Sequence, residues 1–430
     1  MRSTLCHLPH ADPFFDFPLF GFGWLLLIWM AVSGSLLVWQ FAKHGWNEKS
    51  YGYLPLILII GAVLYWVAPH LEEASGDGPP LGIPIRGYGV MLLLAIVCGT
   101  AFTVQQARRV GVESETIFSM AFWMIVSGFV GARLFFVIQK WEQFSRPTVR
   151  ETLLEIVRFS EGGLVVYGSF FGACLGTAIF LKRRKLPALA LCDLFAPGMM
   201  LGVALGRVGC LLNGCCWAGD CGDMPLGISF PPGSPPFMSQ LTDGSLLDMR
   251  LEAKPEDGAW VVAQVTAGGR AEQHGIKIGD EVVAVIPPRA EELNRMRSGI
   301  PAPTASFTLE LNDGRRLSWE FRQLPQRSRP VYPVQLLASI NALLLCGFLW
   351  AFYPFRRRDG EVSALMITIY PVTRFLLEAI RVDEPDVGWT GCSIAQLLSI
   401  LLVAMAVPLW WLLLKRPIGS ALPAATGSPQ

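Results

Sequence analysis

Arg207 sits in the middle of an otherwise apolar run, and four cysteines and an asparagine follow it. The stretch reads GVALGRVGCLLNGCCWAGDCG, from Gly202 to Gly222. A guanidinium in hydrocarbon costs roughly 3 kcal/mol or more, so it normally faces protein, a water-filled cavity or a polar ligand. The plainer reading is an arginine near a helix end whose charge reaches up to the headgroups. Arginine is also the side chain suited to bidentate recognition of phosphate. A second ionisable set lies in YPVTRFLLEAIR, where Arg374, Glu378 and Arg381 recur at i, i+4 and i+7 and share one helix face. Arg374 and Glu378 can pair at that spacing, which lowers the cost of both in a membrane. Arg207 and Arg374, from two helices, could together clamp a phosphodiester and stabilise charge on a departing phosphate. The plainer reading of this second face is that it holds helices together.

Cys210, Cys215, Cys216 and Cys221 fall within 12 residues. Disulfides are one reading, because the outer face of a bacterial membrane is oxidising. A reactive thiol is another: Cys210 lies three positions from Arg207, whose charge would lower a nearby thiol's pKa. A metal or cluster site is the third, although C-x4-CC-x4-C lacks the usual CxxC knuckles. We expect no metal and no cofactor. The other six cysteines are scattered and read as small apolar residues.

These residues need a membrane scaffold to position them. The chain of 430 residues is 52% hydrophobic and 16% charged, against about 25% charged in soluble domains. Its mean hydropathy is +0.43. A net charge of +1 argues against a nucleic-acid partner. A spanning helix needs about 20 mostly apolar residues. Nine segments qualify: 19–40, 51–69, 86–107, 116–138, 163–181, 189–212, 333–353, 361–381 and 394–414. Basic residues follow the first, third, fifth, seventh and ninth of these, including Arg108, Arg109, Lys182 to Lys185 and Arg356 to Arg358. The positive-inside rule then puts the N-terminus outside and the C-terminus in the cytoplasm. The cysteine-rich end of the sixth segment, and residues 213–332 after it, face outward. The N-terminal sequence shows no cleavable signal pattern, so the first span is expected to target the chain itself. The stretch from 140 to 160 is amphipathic, as a surface helix is.

Near Gln240 the composition turns charged and alternating. WVVAQV (260–265), EVVAVI (281–286) and SFTLEL (306–311) read as strands, and Asn312-Asp313-Gly314 as a hairpin turn. RAEQHGIKIGDEVVAV holds a short helix ending at Gly275, then Gly279-Asp280 before a strand. The succession resembles a PDZ domain of the kind attached to bacterial envelope proteases. That resemblance implies capture of an extended peptide by strand addition, with the binding loop near Asp257-Gly258-Ala259. The plainer reading is a small β-rich cover.

Polar groups recur at outer span ends. IRGYGVM carries Arg86 and Tyr88, GARLFF carries Arg133, and EGGLVVYGSFFGA carries Glu161 and Tyr167 beside glycines that permit close helix approach. With these motifs the chain resembles the bacterial prolipoprotein diacylglyceryl transferases. The resemblance runs from about Gly87 to Leu414, interrupted by the insert. It rests on RGYG, GARL, EGGLVVYG, CDLFAPGMMLGVALGRVGCLLNG, YPVQLL, TRFLLEAIR and AQLLSI in that order. It implies an all-α polytopic membrane protein with a seven-helix core, preceded by two added spans and holding the β-rich insert. It also implies transfer of a diacylglyceryl group from phosphatidylglycerol to a lipoprotein cysteine thiol, at the outer face of the inner membrane. The expected layout is 1–84 extension, 85–235 core, 241–325 PDZ-like, 330–416 core and 417–430 disordered tail.

The resemblance carries roles onto individual residues. Arg207 matches the phosphate-binding arginine, Arg374 the essential arginine of the eighth span, Asn213 the asparagine of an NG pair, and Tyr88 an interfacial tyrosine. Arg133 joins them as a candidate substrate-binding residue. Arg374, Tyr167 and Glu378 are the candidate catalytic residues. The chain departs from the family at Tyr167 and Tyr332, which stand where histidines are usual. A tyrosine with a pKa near 10 is a poor base for a thiol proton. Cys210 and Cys215 replace an amide and a carboxylate. The rival reading is a non-standard or inactive paralogue serving as a lipid-binding, protein-interaction or thiol-redox module.

Overall fold

The computed structural model describes residues 4–8, 23–44, 54–66, 73–75, 78–145, 148–157, 165–222, 224–253, 260–300, 302, 304–383, 387–388 and 390–422. Fourteen α-helices and eight strands occur among them. In chain order the helices are α1 (Gly23–His44), α2 (Leu54–Trp66), α3 (Gly87–Arg109), α4 (Ser114–Gln139), α5 (Trp141–Phe144), α6 (Val149–Val157) and α7 (Val166–Arg184). Then follow α8 (Ala188–Asn213), α9 (Pro235–Thr242), α10 (Arg270–Gln273), α11 (Ala290–Arg297), α12 (Val334–Phe352), α13 (Glu361–Glu378) and α14 (Ile394–Leu414).

Six helical segments among the described residues are long and apolar enough to cross a membrane: Leu26–Lys43, Gly87–Arg109, Ser114–Gln139, Ala188–Asn213, Val334–Phe355 and Ile394–Leu414. The expectation of nine is met in this coarser form, and the other three segments show why. In the second, only 13 residues, Leu54–Trp66, are described as helix. In the fifth, α7 ends on Lys182, Arg183 and Arg184. In the eighth, α13 carries Glu361, Arg374 and Glu378. Two of the charges that disqualify α13 by composition, Arg374 and Glu378, are among those singled out for chemistry.

Two compact units divide the chain. One holds residues 91–211, 216–221 and 331–430. Its helices meet at two kinds of crossing. Glycines let α4 and α7 touch backbone to backbone: a Cβ on Gly131 would strike the Gly168 carbonyl oxygen, and one on Gly172 would come within 2.9 Å of the Gly131 Cα. A Cβ on Gly99 of α3 would lie 2.8 Å from the Gly198 carbonyl oxygen of α8. Such small-residue seams suit a membrane, where close packing replaces the hydrophobic drive between helices. Polar bonds fasten the remaining helices. The Ser339 hydroxyl donates to the Ala204 carbonyl at 2.9 Å, Asn341 Nδ2 to Thr373 Oγ1 at 2.9 Å, and Trp410 Nε1 to Thr368 Oγ1 at 3.0 Å. The α8 span is 56% buried while the α14 span is 17% buried, so α8 is the inner helix of this unit and α14 an outer one.

Asp193, fully buried on α8, accepts the backbone N–H groups of Gly360 (2.7 Å) and Ser363 (2.8 Å). It thereby satisfies two orphan donors at the start of α13 and sets that helix's position. Beyond α14 the chain folds back: Ser420 Oγ and the Ala421 N–H both donate to Asp359 at 2.7 Å. Residues 417–422 of the expected disordered tail are therefore anchored, and 423–430 lie outside the described residues.

The other unit holds residues 1–90, 212–215 and 222–330. Strand β1 (Thr4–Leu8) pairs antiparallel with β3 (Gly78–Arg86), which also pairs with β2 (Glu73–Ser75). A five-stranded antiparallel meander follows: β4 (Met249–Ala253), β5 (Trp260–Val265), β6 (Glu281–Ile286), β7 (Ser306–Leu311) and β8 (Arg316–Glu320). Three of these strands coincide with those read from alternation, whose apolar positions (Val262, Val282, Phe307, Leu309) fill the core. The Asn312–Gly314 turn joins β7 to β8, with Gly314 alone taking a left-handed φ of 85° there. The core also takes in Phe237 and Leu241 of α9, so the β-rich body begins ahead of residue 241. The expected binding loop at Asp257-Gly258-Ala259 lies outside the described residues.

Candidate functional site

The inner helix α8 and the charged helix α13 bring the two arginines together. The Arg207 guanidinium stands within electrostatic reach of the Tyr370 hydroxyl. Tyr370 lies one turn before Arg374 on α13, and Arg374 stands within electrostatic reach of both Tyr370 and Arg207. Two guanidiniums within electrostatic reach repel each other unless something negative lies near. Glu378 supplies part of the answer. Its carboxylate meets Arg374 Nη2 at 2.8 Å and Arg381 Nη1 at 2.8 Å, with the Glu378 side chain only 2% exposed. Arg381 is in turn held by Asp383 through Nε at 2.9 Å and Nη2 at 3.0 Å. Glu378 therefore grips two cations and orients Arg374.

Arg374 retains unused capacity. Its Nη1 is buried and has no hydrogen-bond acceptor among the described residues. A buried, unsatisfied guanidinium N–H is costly. Placed beside a second guanidinium, it is a socket for an anion with oxygen acceptors.

The sulfur of Cys216 stands 4.0 Å from that of Cys210, and Arg207 is within electrostatic reach of both. Cys221 lies further along, half-buried; burial, then the neighbouring Asp220 charge, raises its thiol pKa.

The remaining expected residues occupy other places. Arg133 on α4 is 5% exposed and caps the end of α6, donating from Nε to the Ile156 carbonyl at 2.9 Å and from Nη2 to the Glu155 carbonyl at 3.2 Å. The rings of Phe136 and Phe144 pack on its guanidinium at 5.7 Å and 5.2 Å. Cations at a helix C-terminus complement its dipole. Tyr167 is the second residue of α7 and is half-buried, next to the Gly168 seam. Glu161 lies outside the described residues. Tyr88, 40% exposed, sits in the first turn of α3. Tyr332 is 37% exposed, and its N–H donates to the Gly219 carbonyl at 3.2 Å.

Asn213 ends α8 and lines a water-sized cavity of about 10 Å³ with Gly214, Phe230, Ser234 and Arg297. Arg297, at the end of α11 in the insert, donates from Nε to the Gly233 carbonyl at 2.8 Å. Burial, then the nearby Arg86 charge, holds its pKa below the ordinary arginine value. Sequence reasoning passed over Tyr370, Asp193 and Arg297. Tyr370 carried a usable signal, the i, i+4 spacing to Arg374 on a face already marked by charge. Arg297 carried none, because an arginine in a polar helix looks like solvated surface.

The profile of the prolipoprotein diacylglyceryl transferase family matches residues 80–412. A full-length relative agrees: the chain is 31% identical to a phosphatidylglycerol–prolipoprotein diacylglyceryl transferase of Rhodopirellula baltica, over 95% of this chain and 88% of that protein. The chain belongs to the prolipoprotein diacylglyceryl transferase family. Shorter matches join it to transferases of the same name from Clostridium perfringens (32% identity, 36% of this chain) and Deinococcus radiodurans (33%, 36%). Those two alignments cover only 59% and 45% of the relatives' own lengths. The motifs that carry Arg207, Arg374, Asn213 and Arg133 all lie within the matched residues 80–412. The geometry adds Tyr370 as the link between the first two.

Proposed function

We propose that this transferase moves a diacylglyceryl group from phosphatidylglycerol to the thiol of a lipoprotein cysteine. The observation that carries the reading is the Arg207–Tyr370–Arg374 cluster, with one buried Arg374 N–H left without an acceptor among the described residues. A phosphodiester supplies the missing oxygens and the missing negative charge. In the reaction the substrate thiolate attacks the glycerol carbon that bears the phosphate ester. The new bond is C–S, the C–O bond breaks, and glycerol phosphate departs with the electron pair. Charge then grows on the departing phosphate, which is where preorganised guanidiniums act.

Glu378 serves here as the group that orients Arg374, since its carboxylate is engaged by two cations. Tyr167, at the family's histidine position, is assigned to orienting the incoming thiol. Asn213, Tyr88 and Arg133 keep the lipid-binding roles implied by their motif positions, Arg133 acting through the α6 end that it caps. The chain is read as a multi-pass inner-membrane protein with nine spans, N-terminus and insert outside, C-terminus in the cytoplasm. Its layout is proposed to follow the segments expected from sequence, save that residues 417–422 are anchored and the β-rich body takes in α9. The insert is proposed to be PDZ-like and to take an extended peptide on a sheet edge; β4 is one such edge. Its partner is then a protein segment, and no nucleic acid or cofactor is involved.

The test is direct transfer. Purified protein is incubated with phosphatidylglycerol labelled in its acyl chains and a peptide carrying the lipobox cysteine. Label should move to the peptide, glycerol phosphate should accumulate in equal amount, and Arg207→Ala should abolish both. Transfer untouched by Arg207→Ala removes the clamp. No transfer by the native chain, with activity appearing in Tyr167→His, makes the native chain a lipid-binding paralogue instead.

A further inference from the structure

Three thiols, those of Cys210, Cys215 and Cys216, lie within 4.8 Å of one another where the chain leaves α8. Cys210 lies in the last turn of the helix, and Cys216 is turned back toward it with their sulfurs 4.0 Å apart. Cys216 has a φ of 58°, a left-handed conformation uncommon for any residue but glycine, asparagine or aspartate. Such backbone persists only where the surroundings over-determine it. The segment between the two, Leu211 to Cys215, contains Asn213 and Gly214, the latter also left-handed at φ 73°. Arg207 lies within reach of both sulfurs and Arg381 within reach of Cys216.

We infer that Cys210 and Cys216 form a disulfide in the mature protein, closing a loop around the Asn213-Gly214 turn. To bond, the sulfurs close from 4.0 Å to a bond length of about 2.05 Å. The co-reactant is a protein or small-molecule disulfide of the oxidising space outside the membrane. One thiolate of the pair attacks a sulfur of that oxidant, forming a mixed disulfide and releasing one thiol. The other thiolate attacks the mixed disulfide and releases the second thiol. Two electrons and two protons leave with the reduced oxidant, and one S–S bond is made for one broken. In cells the step depends on the outward orientation proposed above. In purified protein it depends only on the geometry.

The full-length protein, in lipid nanodiscs, is exposed to oxidised glutathione. It is then blocked with N-ethylmaleimide, digested and mapped by mass spectrometry, with and without reductant. The expected product is a peptide, or linked peptide pair, two hydrogens lighter, joining Cys210 to Cys216 and taking up maleimide only after reduction. Cys215→Ser should keep this bond. Cys210→Ser should make Cys216 alkylatable without reductant. The inference is overturned if both thiols are alkylated in the oxidised native protein. It is equally overturned if Cys210 pairs with Cys215 or Cys221, or if the purified protein carries stoichiometric zinc on these thiols. Bond formation in the purified protein but not in cells would overturn the inference for the mature protein and count against the proposed outward orientation.

Discussion

At the scale of single residues, the site depends on hydrogen bonds that aim cations. Arg207 and Arg374 come from different helices, the Tyr370 hydroxyl stands within electrostatic reach of both, and Glu378 steadies Arg374. Removing that hydroxyl leaves the Arg207 charge in place but no longer directed. A hydrogen bond to a charged group contributes about 1.5–3 kcal/mol, and about 1.36 kcal/mol is tenfold in rate. Tyr370→Phe is therefore expected to lower the transfer rate by about tenfold or more at unchanged protein yield, measured by label reaching the peptide. A rate within twofold of the native protein would show that Tyr370 does not position Arg207. Much of this site was legible in the sequence because a charge in a membrane helix stands out against its neighbours. Arg207, Arg374 and Glu378 announced themselves that way. Tyr370 was marked only by its i, i+4 spacing to Arg374, since a tyrosine in an apolar run is otherwise ordinary composition. Asp193 was visible within CDLFAPG, but its work on α13 depends on Gly360 and Ser363, some 170 positions away. No local pattern encodes a contact at that separation.

At the scale of elements, the helices that carry the site are set by glycine seams. Strand reading succeeded in the insert because alternation maps directly onto a two-sided sheet, as Val262, Phe307 and Leu309 show. Span reading was coarser, because α7 and α13 mix charge with apolar surface and so defeat a composition rule. The α4–α7 seam is the clearest case of geometry demanding a residue type. A side chain on Gly172 would strike the Ser127 carbonyl and crowd Gly131. Overpacking of this kind typically costs about 1–3 kcal/mol. Gly172→Leu is expected to lower the melting temperature in detergent and the amount of protein recovered from membranes. Gly347 on α12 offers the comparison, since a Cβ there meets nothing within 4 Å. Gly347→Ala should be neutral or slightly stabilising, because alanine is the better helix former by about 1 kcal/mol. Equal melting temperatures for both variants would mean that α4 and α7 do not meet through their glycines.

At the scale of the whole molecule, the β-rich insert interrupts a membrane enzyme without breaking it, and its ends explain how. The Phe230 N–H donates to Ser328 Oγ at 2.8 Å, and the Ser328 N–H donates back to the Phe230 carbonyl at 2.8 Å. The chain leaves and returns at one place, the usual condition for a tolerated insertion. Downstream, Tyr332 pairs with Gly219, so the re-entering chain is fastened again before α12 begins. Joining Ser229 to Arg329 through a short glycine–serine linker should accordingly leave a protein that still enters membranes and still modifies a short lipobox peptide. If the insert recruits protein substrates, the same variant should lose affinity for a full-length preprolipoprotein. Its KM would rise by about tenfold, the equivalent of about 1.4 kcal/mol of binding, while kcat for the short peptide stays within a few-fold. A KM unchanged for the full-length substrate would remove the recruiting role. A fall in kcat on both substrates would point instead to Arg297, which the deletion also takes away. It shares the small cavity beside Asn213, and its loss would act on the asparagine turn and not on substrate capture.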